Sequence, residues 1–314
     1  MNVVAPGPDA SAPMSERRVG VIGALLAAVG PISLALFTPA MPELVRAYDT
    51  TEAAVKLTLS LYFAGFALAQ LVCGPLSDGF GRKPVTIGFM GIFFAASVLA
   101  MFAPTIEVLI AARLLQGIGA AVGIAIARAV VRDLFNGERA VRITNLIGII
   151  LALGPAISPT LGGIAIELAG WHSVFVLMAL MSVVVVLVTI FCLHETVSRD
   201  LSRIRPGALI FAYATLLGNG YFMLSSLVIA GTMGAIYAQA TVLPFILMDR
   251  VGLTPAQFGV GMLMQSGLFF TGSLTARWMM RKLPPARLVP IGLGFVAAGS
   301  LAMAVFLRVW EPTF

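Results

Sequence analysis

About nine stretches of roughly 20 apolar residues, each long enough to cross a bilayer core as a helix, follow one another along the chain. They cover residues 20–39, 55–76, 85–103, 106–134, 141–166, 174–193, 221–247, 258–279 and 288–307. In hydrocarbon every backbone N–H and C=O must find an internal partner, so a chain of this kind forms either a helical bundle or a closed barrel. Barrel strands need apolar–polar alternation over about ten residues, and that period is absent. The expected fold class is an all-α polytopic membrane protein. Composition agrees: 59% of the residues are hydrophobic and 11% are Asp, Glu, Lys or Arg, whereas water-soluble domains carry about a quarter charged residues. This argues against a soluble enzyme, a disordered chain or a secreted disulfide scaffold. Cys73 and Cys192 lie in apolar stretches without metal-ligand spacing and read as small core residues.

The net charge of +6 matters less than where the cations lie. If successive spans alternate direction, one side collects Arg17, Arg18, Arg82, Lys83, Arg128, Arg132, Arg139, Arg142, Arg199, Arg203, Arg205, Arg277, Arg281, Lys282 and Arg287. The other side holds Arg46, Lys56, Arg250 and Arg308, and Arg113 falls inside a span. The positive-inside rule then places the amino terminus in the cytoplasm and, after nine spans, the carboxyl terminus outside. The same distribution forms no basic groove or stripe, so no nucleic-acid partner is expected. Residues 1–18 read as a cytoplasmic tail. A signal peptide is the competing reading, but the apolar segment after it is long, contains Pro31 and lacks a small-residue cleavage site. Residues 195–220, polar and basic at first and containing Pro206 and Gly207, read as a cytoplasmic linker. It separates a six-helix half (19–194) from a partial second half (221–314).

An internal repeat supports that division. Gly74-Pro75-Leu76-Ser77-Asp78-Gly79-Phe80-Gly81-Arg82-Lys83 follows span 2, and Gly272-Ser273-Leu274 through Arg281-Lys282 follows span 8, both on the expected inner side. A six-span unit repeated in parallel orientation explains the distance between them, although glycine turns flanked by basic residues also arise by chance. In the first copy, Gly74 is expected to let helices approach closely and Gly81 to permit a tight turn. Asp78, near the membrane surface, needs a basic partner or a helix amino terminus, and Arg82 and Lys83 are the nearest cations.

These residues carry a resemblance. Gly74 to Lys83 resembles the signature loop of the major facilitator superfamily, Gly-x-x-x-Asp-Arg-x-Gly-x-Arg/Lys, with Gly79 in the place of the usual Arg. Arg113-Leu114-Leu115-Gln116-Gly117-Ile118-Gly119-Ala120-Ala121 resembles its fourth-helix motif. Gly154-Pro155-Ala156-Ile157-Ser158-Pro159-Thr160-Leu161-Gly162-Gly163 resembles the fifth-helix motif of proton-driven drug exporters. Pro39-Ala40-Met41-Pro42, Thr51-Glu52-Ala53-Ala54-Val55, Ala127 to Phe135 and His194-Glu195-Thr196 resemble the bicyclomycin/chloramphenicol-resistance (Bcr/CflA) branch.

The resemblance implies a multi-pass inner-membrane transporter that exports drug-like small molecules by proton antiport with alternating access. It would need no cofactor beyond the proton gradient. Its partners would be small-molecule substrates and the lipid bilayer, and at full length it would be a monomer. Arg113 would be the fixed charge that controls proton release or touches substrate, with Gln116 on the same face. An intramembrane cation is by default functional, the alternative being a hydrogen-bond anchor between helices. Gly154, Ser158 and Gly162 form a ladder of small residues at spacing four that brings helices together. Gly163 lies beside it, and Pro155 and Pro159 are expected to bend the helix. In exporters that ladder packs the two halves and limits leak. Arg128, Arg132 and Asp133 are expected to form an inner charge cluster within reach of Asp78, and solvated surface charges would read the same way. Tyr62, Tyr237, Gln239 and Gln265 are polar candidates for a cavity wall.

Two departures stand out. Ala35 occupies the place where exporters of this type often carry an acid. Twelve spans would need about 400 residues, so spans 10–12 are expected to be absent, through fragmentation, truncation or supply by another polypeptide. A metabolite carrier and a non-transporting remnant are the alternatives. An enzyme is not expected, because His172 and His194 fall at opposite membrane faces and no catalytic set or metal cluster converges.

Overall fold

The computed structural model describes residues 14–201, 204, 206–280 and 283–309, and all regular structure among them is helical. Helix α1 (Glu16–Phe37) runs through a 3₁₀ turn (Thr38–Ala40) into α2 (Met41–Ala47). Then follow α3 (Glu52–Phe80), α4 (Arg82–Met101), α5 (Ile106–Ala120), α6 (Val122–Leu134), α7 (Gly137–Ala169) and α8 (His172–Cys192). The remaining helices are α9 (Pro206–Leu217), α10 (Gly220–Pro244) with a π-helical end (Phe245–Arg250), α11 (Pro255–Met279) and α12 (Pro285–Val309). Among the described residues, six helical stretches are long and apolar enough to cross a membrane: Glu16–Ala47, Glu52–Phe80, Arg82–Met101, Ile106–Leu134, His172–Cys192 and Gly220–Arg250. Helices α7, α11 and α12, with 33, 25 and 25 residues, occupy the other three span positions.

Four boundaries differ from expectation. The tail reading extended to residue 18, yet α1 begins at Glu16 because the Ser15 hydroxyl accepts the Arg18 amide at 3.3 Å, an N-cap that starts the helix early. Residues 1–13 lie outside the described residues. The first span does not stop at Pro39: the chain stays helical to Ala47, since prolines 39 and 42 fall in the opening turns of the next elements, where a missing N–H costs nothing. Span 4 is two helices meeting at Ala121. The expected linker 195–220 contains α9, which opens on Pro206 and continues through an apolar run. Its 12 residues rise about 18 Å, too short for a bilayer core of about 30 Å.

The chain gathers into two compact units. The first combines residues up to Ser33, Leu57–Gly154 and Phe175–Pro206, and the second combines Leu34–Lys56, Pro155–Val174 and Gly207–Phe314. Large apolar side chains stand exposed in both, for example Phe191 at 75% and Leu168 at 82%. That outward apolar surface suits lipid rather than water.

Glycine builds the core of the first unit. A Cβ on Gly117 of α5 would strike the Tyr62 carbonyl of α3, and one on Gly65 of α3 would strike the Leu114 carbonyl of α5. Gly119 lies against the α4 backbone at Phe89 and Phe93, and Gly123 of α6 against the Leu26 carbonyl of α1. Helices in lipid gain little from hydrophobicity and associate through such close backbone contact.

Candidate functional site: a buried arginine and a charged turn

Because α5 is pressed against α3 at Gly117 and against α4 at Gly119, the residue one turn before Gly117 points between those two helices. That residue is Arg113, which has no exposed surface. Its Nη1 donates to Gln116 Oε1 at 2.8 Å and lies 4.0 Å from the Met178 sulfur of α8. The guanidinium sits over the Tyr62 ring, 4.4 Å from the centroid. A cation in this position is attracted by the ring quadrupole, by about 2 kcal/mol when both are desolvated.

The contacts continue on both sides. Gln116 Nε2 donates to the Ser97 hydroxyl of α4 at 2.8 Å. The Tyr62 hydroxyl is 2.6 Å from that of Ser33 on α1, and both lie within reach of the Gly30 carbonyl, at 3.0 and 2.9 Å. Two hydroxyl protons therefore serve three oxygens, and either hydroxyl can donate to the other. The network ties α1, α3, α4, α5 and α8 around one positive charge. Arg113, Gln116 and Tyr62 are brought together as one cluster. Ser33, Ser97 and Met178 belong to it too, and no sequence pattern marked them.

At one end of the same unit, the turn from α3 to α4 carries a second cluster. Gly81 has φ +103°, the left-handed conformation that glycine adopts without strain. Arg82 is only 2% exposed and forms the hub: Nη1 reaches Asp78 Oδ1 at 2.5 Å and Ser77 Oγ at 2.6 Å, and Nε reaches Asp133 Oδ2 at 3.0 Å. Lys83 Nζ donates to the Ile190 carbonyl at 2.6 Å. The expected cluster of Arg128, Arg132 and Asp133 needs correction. Asp133 joins through Arg82, whereas Arg128 and Arg132 are exposed and make no ion pair among the described residues. Arg82, at the start of α4, pairs with Asp78 of α3 and with Asp133 of α6, so Asp78 is served across the α3–α4 turn. Gly74 also differs, since a Cβ there would meet nothing within 4 Å. Arg281 and Lys282, which close the second copy of the repeat, lie outside the described residues.

In the second unit the end of α7 meets two helices. Gly162 abuts the Leu36 carbonyl of α1, and Gly163 abuts the Pro255 carbonyl of α11. A Cβ on Gly259 of α11 would strike the α7 backbone at Pro159 and Thr160, and Thr160 Oγ1 donates to the Gly259 carbonyl at 3.0 Å. Glu167 accepts the Ala256 amide at 3.1 Å, beside a capping box formed by Thr254 and Gln257. Ser158 is buried there, and Gly154, in the first unit, packs on Ile32 of α1. The Pro155 side chain lies outside the described residues. Of the candidate cavity residues in this unit, Tyr237 and Gln265 are half-buried and Gln239 is exposed.

Known proteins are similar to this chain. A transporter described as uncharacterised and MFS-type, YdgK of Bacillus subtilis, is 30% identical over 257 residues, 79% of this chain and 64% of its own length. The multidrug resistance protein MdtL of Salmonella schwarzengrund is 27% identical over 275 residues, 86% of this chain and 68% of its own. The chain thus spans about two thirds of the length of these relatives. A crystal structure of a bacterial homolog to the human lysosomal transporter Spinster, inward-facing and occupied, superimposes with a TM-score of 0.72. It shares 16% identity over 85% of this chain and 62% of that one, a likeness of fold. Residues 17–313 match the Major Facilitator Superfamily, and with the helical fold and the arginine-centred bundle described above, the chain belongs to that superfamily.

Proposed function

We propose that the chain works as a secondary active transporter of the bicyclomycin/chloramphenicol-resistance type, exporting drug-like small molecules across the bacterial inner membrane by proton antiport and alternating access. The amino terminus would be cytoplasmic and the Arg82 turn would be part of the inner gate. The observation that carries this reading is the fully buried Arg113 with its Gln116, Ser97 and Tyr62 partners. A buried cation costs a few kcal/mol in a membrane helix even on insertion scales, so keeping one implies a use for it. The relatives named for multidrug resistance support drug-like cargo, and the close seating of α7 on α11 supports a seal of the kind the exporter motif provides. The proton is taken as coupling ion by analogy with that branch, with Arg113 as the fixed charge that governs its release.

Expressed in a drug-sensitive bacterium, Arg113→Ala is expected to abolish resistance while the amount of membrane-inserted protein stays at the level of the unaltered chain. Resistance retained in full would reject the role of Arg113. If the unaltered chain gives neither resistance nor proton-dependent flux in proteoliposomes, drug export is the wrong reading.

A further inference from the structure

The segment that follows α8 does not leave the bundle directly. It runs back along the α3–α4 turn and touches it at successive points. Glu195 Oε1 accepts the Arg82 amide at 2.8 Å and Oε2 accepts the Lys83 amide at 3.0 Å, so one carboxylate caps the start of α4. Thr196 Oγ1 donates to Asp133 Oδ2 at 2.8 Å, joining the carboxylate that also holds Arg82. The Arg199 guanidinium lies 5.7 Å from the Phe80 ring centroid. The Asp200 amide donates to the Gly79 carbonyl at 3.0 Å, and Ile204 fills the space where a Gly79 side chain would stand. From Glu195 to Asp200, and again at Ile204, the described residues therefore meet positions 83 to 79 in reverse order.

Gly79 makes this seat possible. It lies in the last turn of α3, with no left-handed backbone angle that would itself demand glycine. The nearest atoms that a Cβ there would meet are those of the Ile204 side chain, with the Asp200 carbonyl in ordinary van der Waals range, so the cost of a side chain falls first on the docked segment. Glu195 contributes differently. The first amides of a helix have no partner within it, and a carboxylate placed there satisfies two of them while complementing the helix dipole.

We propose that residues 195–200 together with Ile204 form a latch seated on the α3–α4 turn, with Gly79 as its seat and Glu195 as the positioning residue that fixes Arg82. The latch is the stretch through which the chain passes from α8 towards α9, so a pull on it reaches the Arg82–Asp78–Asp133 cluster directly. Its role in regulating the gate rests on the transporter reading. The docking itself does not.

The test uses the whole chain, purified in detergent. Trypsin cleavage after Arg199 and hydrogen exchange of the Arg82 and Lys83 amides are followed for the unaltered chain, Gly79→Arg and Glu195→Ala. Gly79→Arg is expected to speed the Arg199 cut about tenfold, since cleavage tracks the population of the opened segment. Both variants are expected to speed exchange at Arg82 and Lys83 by about tenfold, the effect of losing one charge-assisted hydrogen bond. Glu195→Ala could unsettle the fold, and Gly79→Arg, which retains the Glu195 side chain, guards against that. A Gly79→Arg chain cut at the unaltered rate overturns the seat. A chain whose latch opens while both amides keep their protection overturns the coupling. Absence of drug transport in the unaltered chain bears on the transport reading alone.

Discussion

Gly117→Val is expected to destroy the packing of the first unit. The added Cβ alone would meet the Tyr62 carbonyl, a backbone atom that cannot rotate away, and the two methyls beyond it reach further into α3. Helices α3 and α5 must then separate, which lifts Tyr62 off the Arg113 guanidinium, now 4.4 Å from its ring. Overpacking of this kind costs about 3 kcal/mol when the neighbour is rigid, and the weakened stacking adds to it. Purified in detergent, the variant should melt at a much lower temperature than the unaltered chain and elute as a broadened peak in size-exclusion chromatography. Gly91→Ala is the control. Its Cβ meets nothing within 4 Å, and alanine in a helix is favoured over glycine by up to about 1 kcal/mol, so melting should hold or rise. Equal melting of the two variants would show that α3 and α5 do not touch as described.

Arg82→Ala carries the second large effect. Its guanidinium is 2% exposed and serves Asp133, itself 15% exposed, together with Asp78 and Ser77. Removing the cation leaves the partly buried Asp133 carboxylate without its countercharge, a loss of up to about 3 kcal/mol, the lower end for buried pairs. Arg82→Lys restores charge but not the planar fork that reaches two carboxylates at once, so it should recover only part of the stability. The double change Arg82→Ala with Asp133→Ala should be less harmful than the sum of the two singles, because the second removes the stranded charge. Thermal melting of the four chains in detergent tests this cycle. Additive losses would mean that Arg82 and Asp133 stand apart in solution.

Much of this was legible in the sequence. Apolar runs of bilayer length marked the helices, and the Gly81 turn followed from its place between an apolar span and a basic pair. A cation amid apolar residues singled out Arg113, and the helical spacing put Gln116 beside it. Other elements were not legible, for identifiable reasons. Helix α9 is hidden in the sequence by the polar run before it, which gives the whole segment the character of a linker. Arg128 and Arg132 have the right spacing to share a face, yet spacing does not say whether that face meets a neighbour or the surroundings. Glu195 stood out only as part of a short word shared with a family. Its amide partner Arg82 is 113 residues away, and no local pattern encodes such a contact.

The sequence by itself determined that the chain is a set of lipid-length helices with charge gathered at their ends, because hydrocarbon leaves a backbone no other way to satisfy its polar groups. Only the tertiary structure decided which groups meet: the Arg113 cation with the Tyr62 ring, Arg82 with Asp133, Glu195 with the start of α4. These pairings depend on ångström-scale approaches set by glycines on facing helices, and such distances exist only once the helices are packed.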